Sequence, residues 1–314
     1  MKFRPAGVTD TAVQMALAHG WGLGADVPRY APVGAGGYHW TAGRFFVTVD
    51  DLDAKPWLGA DRDQVMTGLR AAMDTARSLA SLPFVLAPIP ARDGAAAARL
   101  SDRYAVTVFP YLDGVAGQWG DQRDEREQGE VLDLLAVLHR AEPVPAAPAA
   151  VAVALPGRAA IAALLDRPAA DDGPYLAEFR ALRAQAGPRI RELLAAFDRL
   201  VPVLAGLPDV ITHGEPHPGN FIRTSAGLVL IDWDTVGLAP PERDLWLLPG
   251  GHARYQAATG YRPDPAALEL YRIRWQLDDI CAYLGDLHRA SERNPAADQA
   301  VQAVQALAGI TGQL

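Results

Sequence analysis

One short stretch limits what this chain can fold into more than any other: Ile211-Thr212-His213-Gly214-Glu215-Pro216-His217-Pro218-Gly219-Asn220, followed eleven residues later by Ile231-Asp232-Trp233-Asp234. Gly214, Pro216, Pro218 and Gly219 forbid a continuous helix through the first part. The apolar run Gly227-Leu228-Val229-Leu230-Ile231 reads as a strand. A loop followed by a compact hairpin is what remains, and it brings Glu215, Asn220 and Asp232 together, with Asp234 on the side of Asp232 by the two-residue period of a strand.

A carboxylate, an amide and a second carboxylate set out this way can orient a hydroxyl and hold magnesium against a nucleotide phosphate. Magnesium takes oxygen ligands and keeps several waters, so few protein ligands suffice. Phosphoryl transfer needs in-line positioning and charge neutralisation more than covalent work by the protein. In this reading Glu215 accepts or orients the attacking hydroxyl, Asn220 and Asp232 hold the metal, and Asp234 assists through a second metal or the surroundings of the first. The bland alternative is a polar hairpin of turn-forming residues. His213 and His217 stand four apart, but the intervening glycine and prolines deny them the helix a zinc pair would use. His213 is expected to hold the loop by local hydrogen bonds.

Around this hairpin the chain changes texture. Up to about Leu112 it is strand-dominated: Arg44–Val49, Phe84–Pro90 and Tyr104–Phe109 read as strands, and Asp61–Ser81 as an amphipathic helix. After Asp113-Gly114 it turns helical, with helices expected over Arg126–Arg140, Ala159–Leu165, Tyr175–Leu200, Ala266–Arg289 and Ala296–Leu307. Residues 141–156, rich in Pro and Ala, read as a surface connection. The organisation implied is a β-rich unit over residues 1–112, a linker near 109–114, and a larger helical unit over 113–314 that embeds the hairpin.

Three further motifs accompany the hairpin: Val137-Leu138-His139-Arg140 ending a helix, Phe109-Pro110-Tyr111-Leu112-Asp113-Gly114 at the linker, and Ala239-Pro240-Pro241-Glu242-Arg243-Asp244-Leu245-Trp246 after the second carboxylates. Together with His-Gly-acid-x-x-x-x-Asn and Ile-Asp-Trp-Asp they resemble the aminoglycoside phosphotransferase family of protein-kinase-like small-molecule kinases. The resemblance covers most of Tyr104–Trp246. It implies an α+β, two-lobed protein-kinase-like fold, with a β-rich N-lobe and a mainly helical C-lobe. It also implies ATP and magnesium as cofactors, adenine at the backbone of the Phe109–Tyr111 hinge, Glu215 as base, and Asn220 and Asp232 as metal ligands. The glycine cluster Gly34, Gly36 and Gly37 would cover the phosphates through backbone N–H groups. Taken alone, it is also what a hairpin turn looks like.

The sequence departs from the family twice. The base position, normally Asp, is Glu215. The third strand, which should present a lysine to the phosphates, holds Thr48 at that slot, and the long helix offers Asp74 where a bracing glutamate is expected. Among 29 basic residues only Lys2 and Lys55 are lysines. Lys55, beyond the strand, is expected to be solvated like most lysines; it and Arg44 are the cations that could stand in.

The family implies phosphorylation of a small hydroxylated acceptor, an aminoglycoside or aminocyclitol among them. A net charge of −8 suits a cationic acceptor and disfavours nucleic acid. Asp278 and Asp279, on a late helix beside Trp275 and Tyr283, could hold its amines or form a solvated acidic face. Glu242, Arg243 and Asp244 are expected to brace the loop as an internal ion pair. A single cysteine, Cys281, excludes an internal disulfide, and no run is apolar enough for a signal peptide or a membrane span, so a cytoplasmic location is expected. Two alternatives stay open: a nucleotide-binding pseudokinase weakened at Thr48, and an enzyme using GTP.

Overall fold

In the computed structural model the described residues are 4–34, 36–142, 153–155, 157–166, 174–289, 292–293 and 295–309. The Pro/Ala-rich connection lies largely outside them, as do Lys2 and Ala35. The chain forms two compact units, Met1–Val151 with Pro208–Arg262, and Ala152–Leu207 with Pro263–Leu314. The β-rich segment and the motif hairpin thus fall in the same unit.

That first unit begins with helix α1 (Asp10–Trp21), whose N-cap Thr9 accepts from the Ala12 N–H. Strands β1 (Arg29–Ala31), β2 (Tyr38–Ala42), β3 (Phe45–Asp51), β4 (Ala97–Arg99) and β5 (Tyr104–Pro110) then build an antiparallel sheet in the order β1-β2-β3-β5-β4. Helix α2 (Arg62–Ser78) intervenes, capped by the Asp61 carboxylate on the Asp63 and Gln64 N–H groups. Strand alternation decides the two faces of the sheet. Phe45, Val47, Val49, Tyr104, Val106 and Val108 face a core shared with Val13 and Leu17 of α1. Register puts His39, Phe46, Thr48, Asp50, Thr107 and Phe109 on the opposite face.

Phe84–Pro90 is not a strand. Pro83, Pro88 and Pro90 interrupt it and remove ladder donors, leaving one bridge, Val85 to Leu230. That bridge still matters, because Leu86 N donates to Leu230 O at 3.2 Å and Leu230 N to Phe84 O at 2.7 Å. The strand expected there is supplied instead by β4, an alanine-rich piece of low β-propensity formed by its pairing with β5.

Downstream, β6 (Val115–Ala116) pairs with β8 (Phe221–Thr224), and β8 with β9 (Gly227–Leu230); β7 (Val210–Thr212) pairs with β10 (Gly237–Ala239). Helices α3 (Glu125–Leu138), α6 (Glu242–Leu245) and α7 (His252–Thr259) complete the unit.

The second unit is helical: α4 (Arg158–Asp166), α5 (Leu176–Leu200), α8 (Pro265–Arg289) and α9 (Pro295–Leu307). Ile161, Leu182, Ile190, Phe197, Leu277, Ile280 and Val304 are among its core.

Candidate active site

The loop between β7 and β8 is held from below by a buried carboxylate. Asp244, 0% exposed, accepts from the backbone N–H of His213 at 2.8 Å and of Gly214 at 2.6 Å. His139 Nε2 lies 3.0 Å from the same carboxylate, while its Nδ1 meets the Tyr255 hydroxyl at 2.8 Å. Burial alone would push Asp244 up, but the His139 hydrogen bond and charge, with the Arg243 charge, hold its carboxyl below the ordinary range. Asp244 thus braces the loop from the segment expected to do so. Arg243 donates to Thr212 Oγ1 at 2.8 Å and to Thr235 O at 2.7 Å, so it ties β7 to the turn after Asp232.

His213 holds the loop as expected. Its Nε2–H donates to Ile231 O at 2.9 Å, and Nδ1 accepts from Glu215 N at 3.3 Å. That arrangement needs a neutral ring, and burial lowers its pKa accordingly. His217 is likewise pushed down to about 4 by burial, and it packs edge-on against Trp119 with centroids 4.6 Å apart.

Gly214 has φ 99°, and a Cβ there would lie 2.4 Å from Arg243 Nη2. Arg243 cannot swing away without losing its bonds to Thr212 and Thr235. Gly214→Ala should cost about 1–3 kcal/mol, read as a fall in the denaturant midpoint at unchanged m-value.

From this base the motif residues converge. Asn220 N donates to His217 O at 2.9 Å, and Asn220 O accepts from Ile231 N at 2.9 Å, which sets Asn220 beside the start of the second motif. The Asn220 side-chain NH2 donates to Glu215 O at 2.9 Å, so the amide oxygen is the atom it offers a cation. Asp232 follows β9 with φ 63°, the one positive-φ residue other than glycine among those described. Such a conformation costs energy and persists where the surroundings enforce it, most often at functional sites. Solvent reaches Asp232, yet the protein around its carboxyl and the charges of Asp234, Glu215 and Asp50 push it well above the ordinary carboxylate range, with Lys55 opposing. Glu215, Asn220, Asp232 and Asp234 are thus brought together.

Lys55 is not solvated. It is 3% exposed, its ammonium lies 3.1 Å from Asp50 Oδ1, and it also bonds Asp234 Oδ2. Burial would lower the ammonium pKa, but Asp234, Asp50 and Asp232 outweigh it and raise it, so the charge is kept. Asp234 is accordingly committed through one oxygen to Lys55. Asp74 has a different partner, Arg77 at 3.2 Å. Arg44 is exposed and lies over Phe45, a core-face residue of the sheet.

On the sheet face above, Thr48 Oγ1 is 3.3 Å from His39 Nδ1, and His39 stacks on Phe46 at 5.0 Å. A Cβ on Gly34 would meet His39 Nε2 at 3.2 Å. Gly36 and Gly37 continue that loop, Phe109 is buried at the end of β5, and Tyr111 is exposed with its N–H donated to Arg44 O at 2.9 Å. In the second unit Asp278 pairs with Arg274 at 3.3 Å on its own helix, while burial and Asp278 push Asp279 up to about 7.

The donor set suits magnesium better than a metal held by protein alone. Among the described residues no cluster of three or more His, Cys, Asp or Glu has metal-holding geometry. Two carboxylates and an amide oxygen instead match an ion that draws its other ligands from phosphate and water.

Sequence reasoning missed Asp50 and the Asp244–His139 brace. The strand period could have found Asp50, since it places that residue on the face of Thr48.

Comparison with known proteins agrees with this architecture. A solved structure of spectinomycin phosphotransferase APH(9)-Ia in complex with ADP and spectinomycin matches with TM-score 0.70 over 96% of this chain and 98% of that one, at 16% identity. A choline/ethanolamine kinase family protein from Mesorhizobium loti matches with TM-score 0.53 over 95% and 94%, at 17% identity. The fold is thus the two-lobed, α+β protein-kinase-like class expected from the sequence. Residues 38–279 match the sequence model of the phosphotransferase enzyme family, APH, and the chain belongs to that family. It is 33% identical over 224 residues to Protein StrN of Streptomyces griseus, a match spanning 64% of each chain.

Proposed function

We propose that this chain transfers the γ-phosphoryl group of ATP, with magnesium, to a hydroxyl of a small amine-bearing acceptor such as an aminoglycoside or aminocyclitol. The observation that carries the reading is Asp232, held in a left-handed conformation at the end of β9 beside Asn220 and Glu215. Family membership and the fold support it.

Magnesium, when bound, would supply positive charge against the phosphates. Asn220 would hold it through the amide oxygen and Asp232 through its carboxylate, with Asp234 next to them. Glu215 positions the acceptor hydroxyl and takes its proton. Its side chain is one methylene longer than aspartate's, on a loop fastened at His213 and Gly214. The backbone of Gly34, Gly36 and Gly37 would lie over the phosphates, with Thr48 beneath Gly37. The adenine would meet the backbone at Phe109–Tyr111, the hinge between an N-lobe ending near residue 112 and the C-lobe. No helix among the described residues is long and apolar enough to cross a membrane, in keeping with action on a dissolved substrate in the cytoplasm.

Release of ADP in the presence of an acceptor panel tests the reading, and spectinomycin belongs in the panel because the similar APH(9)-Ia structure contains it. No ADP above the acceptor-free rate with any member, using ATP or GTP, would favour a pseudokinase.

Asp279 is the group proposed to bind an acceptor amine, with Asp278 alongside. With its carboxyl pushed up to about 7, it is neutral below that pH and binds a cation poorly. KM for the acceptor should fall as pH rises through 7. Asp279→Asn should raise KM, remove that pH dependence and leave kcat nearly unchanged. An unaltered KM would take Asp279 out of the acceptor site.

A further inference from the structure

The phosphates of a nucleotide need a cation that the third strand does not provide, and the structure supplies one from the turn after it. Thr48 and Asp50 share one face of β3, about 7 Å apart along the strand. A Cβ on Gly37 would lie 3.2 Å from Thr48 Cγ2 and 3.6 Å from Asp50 Oδ1. The same Asp50 oxygen is 3.1 Å from the Lys55 ammonium, whose other partner, Asp234, stands two residues past Asp232. The ammonium therefore sits between the glycine loop and the carboxylates offered to the metal. That is where the phosphates would lie under the phosphotransferase reading, on which this inference rests.

Charge and valence agree with the position. Asp50, Asp234, Glu215 and Asp232 crowd together, and Lys55 is the cation acting among them. An ammonium has three N–H donors; Asp50 and Asp234 engage two, and among the described residues no further acceptor is seen for the third. Beside it, the Trp57 ring centroid lies 5.4 Å from Nζ, and the buried Trp57 Nε1 has no hydrogen-bond partner among the described residues. A lysine N–H that neither carboxylate engages suits an oxyanion.

We propose that Lys55 binds the nucleotide's phosphates, delivered from the turn after β3 and braced by Asp50 and Asp234 in place of a helix carboxylate. The strand lysine has thus been moved rather than lost.

Calorimetric titration of the full chain with MgATP and with adenosine tests this. Lys55→Met should weaken MgATP about ten- to hundredfold and leave adenosine binding unchanged, because adenosine has no phosphate. General damage to the site would weaken both ligands alike. Lys55→Met/Asp50→Asn keeps the local charge balanced and answers the question if the single variant does not fold. A third measurement needs no change at position 55. With isotope-labelled lysine side chains, Lys2 and Lys55 give the chain's two lysine ammonium signals, and Lys2→Arg assigns them. The Lys55 signal should move with MgATP and stay put with adenosine. ATP affinity unchanged in the Lys55 variants, or a Lys55 signal indifferent to ATP that does bind, would overturn the proposal while the phosphotransferase reading stands. A parent protein that binds neither ligand would sink both.

Discussion

Asp232→Asn should cut phosphotransfer by on the order of a thousandfold and leave the metal-free protein as stable as the parent or more so. Both halves follow from the same crowding. Asp232 shares its surroundings with Asp234, Glu215 and Asp50, against one lysine, so its charge is a cost unless a divalent cation is present. Asparagine removes that charge and tolerates the left-handed backbone found at this position, whereas alanine would add strain. Turnover with the acceptor panel and thermal melts in chelator would measure the two effects. A variant that loses stability in parallel with activity would mean that Asp232 serves the fold.

The opposite pattern is expected of Asp244. It is fully buried and fastens the His213 and Gly214 N–H groups while facing His139. Asp244→Ala leaves those donors buried without an acceptor, which should cost about 3–5 kcal/mol and lower the denaturant midpoint accordingly. Because the carboxyl is held below its ordinary range, the stability it adds is present above about pH 4 and is lost as pH falls below that. The parent should therefore show an acid destabilisation that Asp244→Ala largely lacks. A midpoint shift under about 1 kcal/mol would contradict the brace, since surface changes usually stay within that range.

Much of this was legible in the sequence because the informative signals are local. Glycine and proline spacing marked the loop of Glu215 and Asn220, and apolar periodicity located the long helices α2, α3, α5, α8 and α9 to within a few residues, though not α6 or α7. Errors arose where long-range contacts decide. Lys55 stands in a turn with nothing around it in sequence to mark it, and its bond to Asp234 spans 179 residues. Asp244 reaches back 31 residues to His213, so the partners it holds in the loop could not be read from its own segment. Phe84–Pro90 has apolar residues in plenty, but its prolines leave it isolated backbone bonds, to Leu230 and from Ile89 N to Val108 O, in place of a ladder. Strand β4 carries little signal of its own and exists through β5.

The most direct test of the whole account is transfer itself: γ-labelled ATP, magnesium and the purified chain, with spectinomycin and a set of aminoglycosides, each product examined by mass spectrometry. The account predicts an acceptor that gains one phosphoryl group and carries the label, and no such product from Asp232→Asn. Label that stays in ATP, or passes only to inorganic phosphate, across the whole set with the parent protein would contradict it.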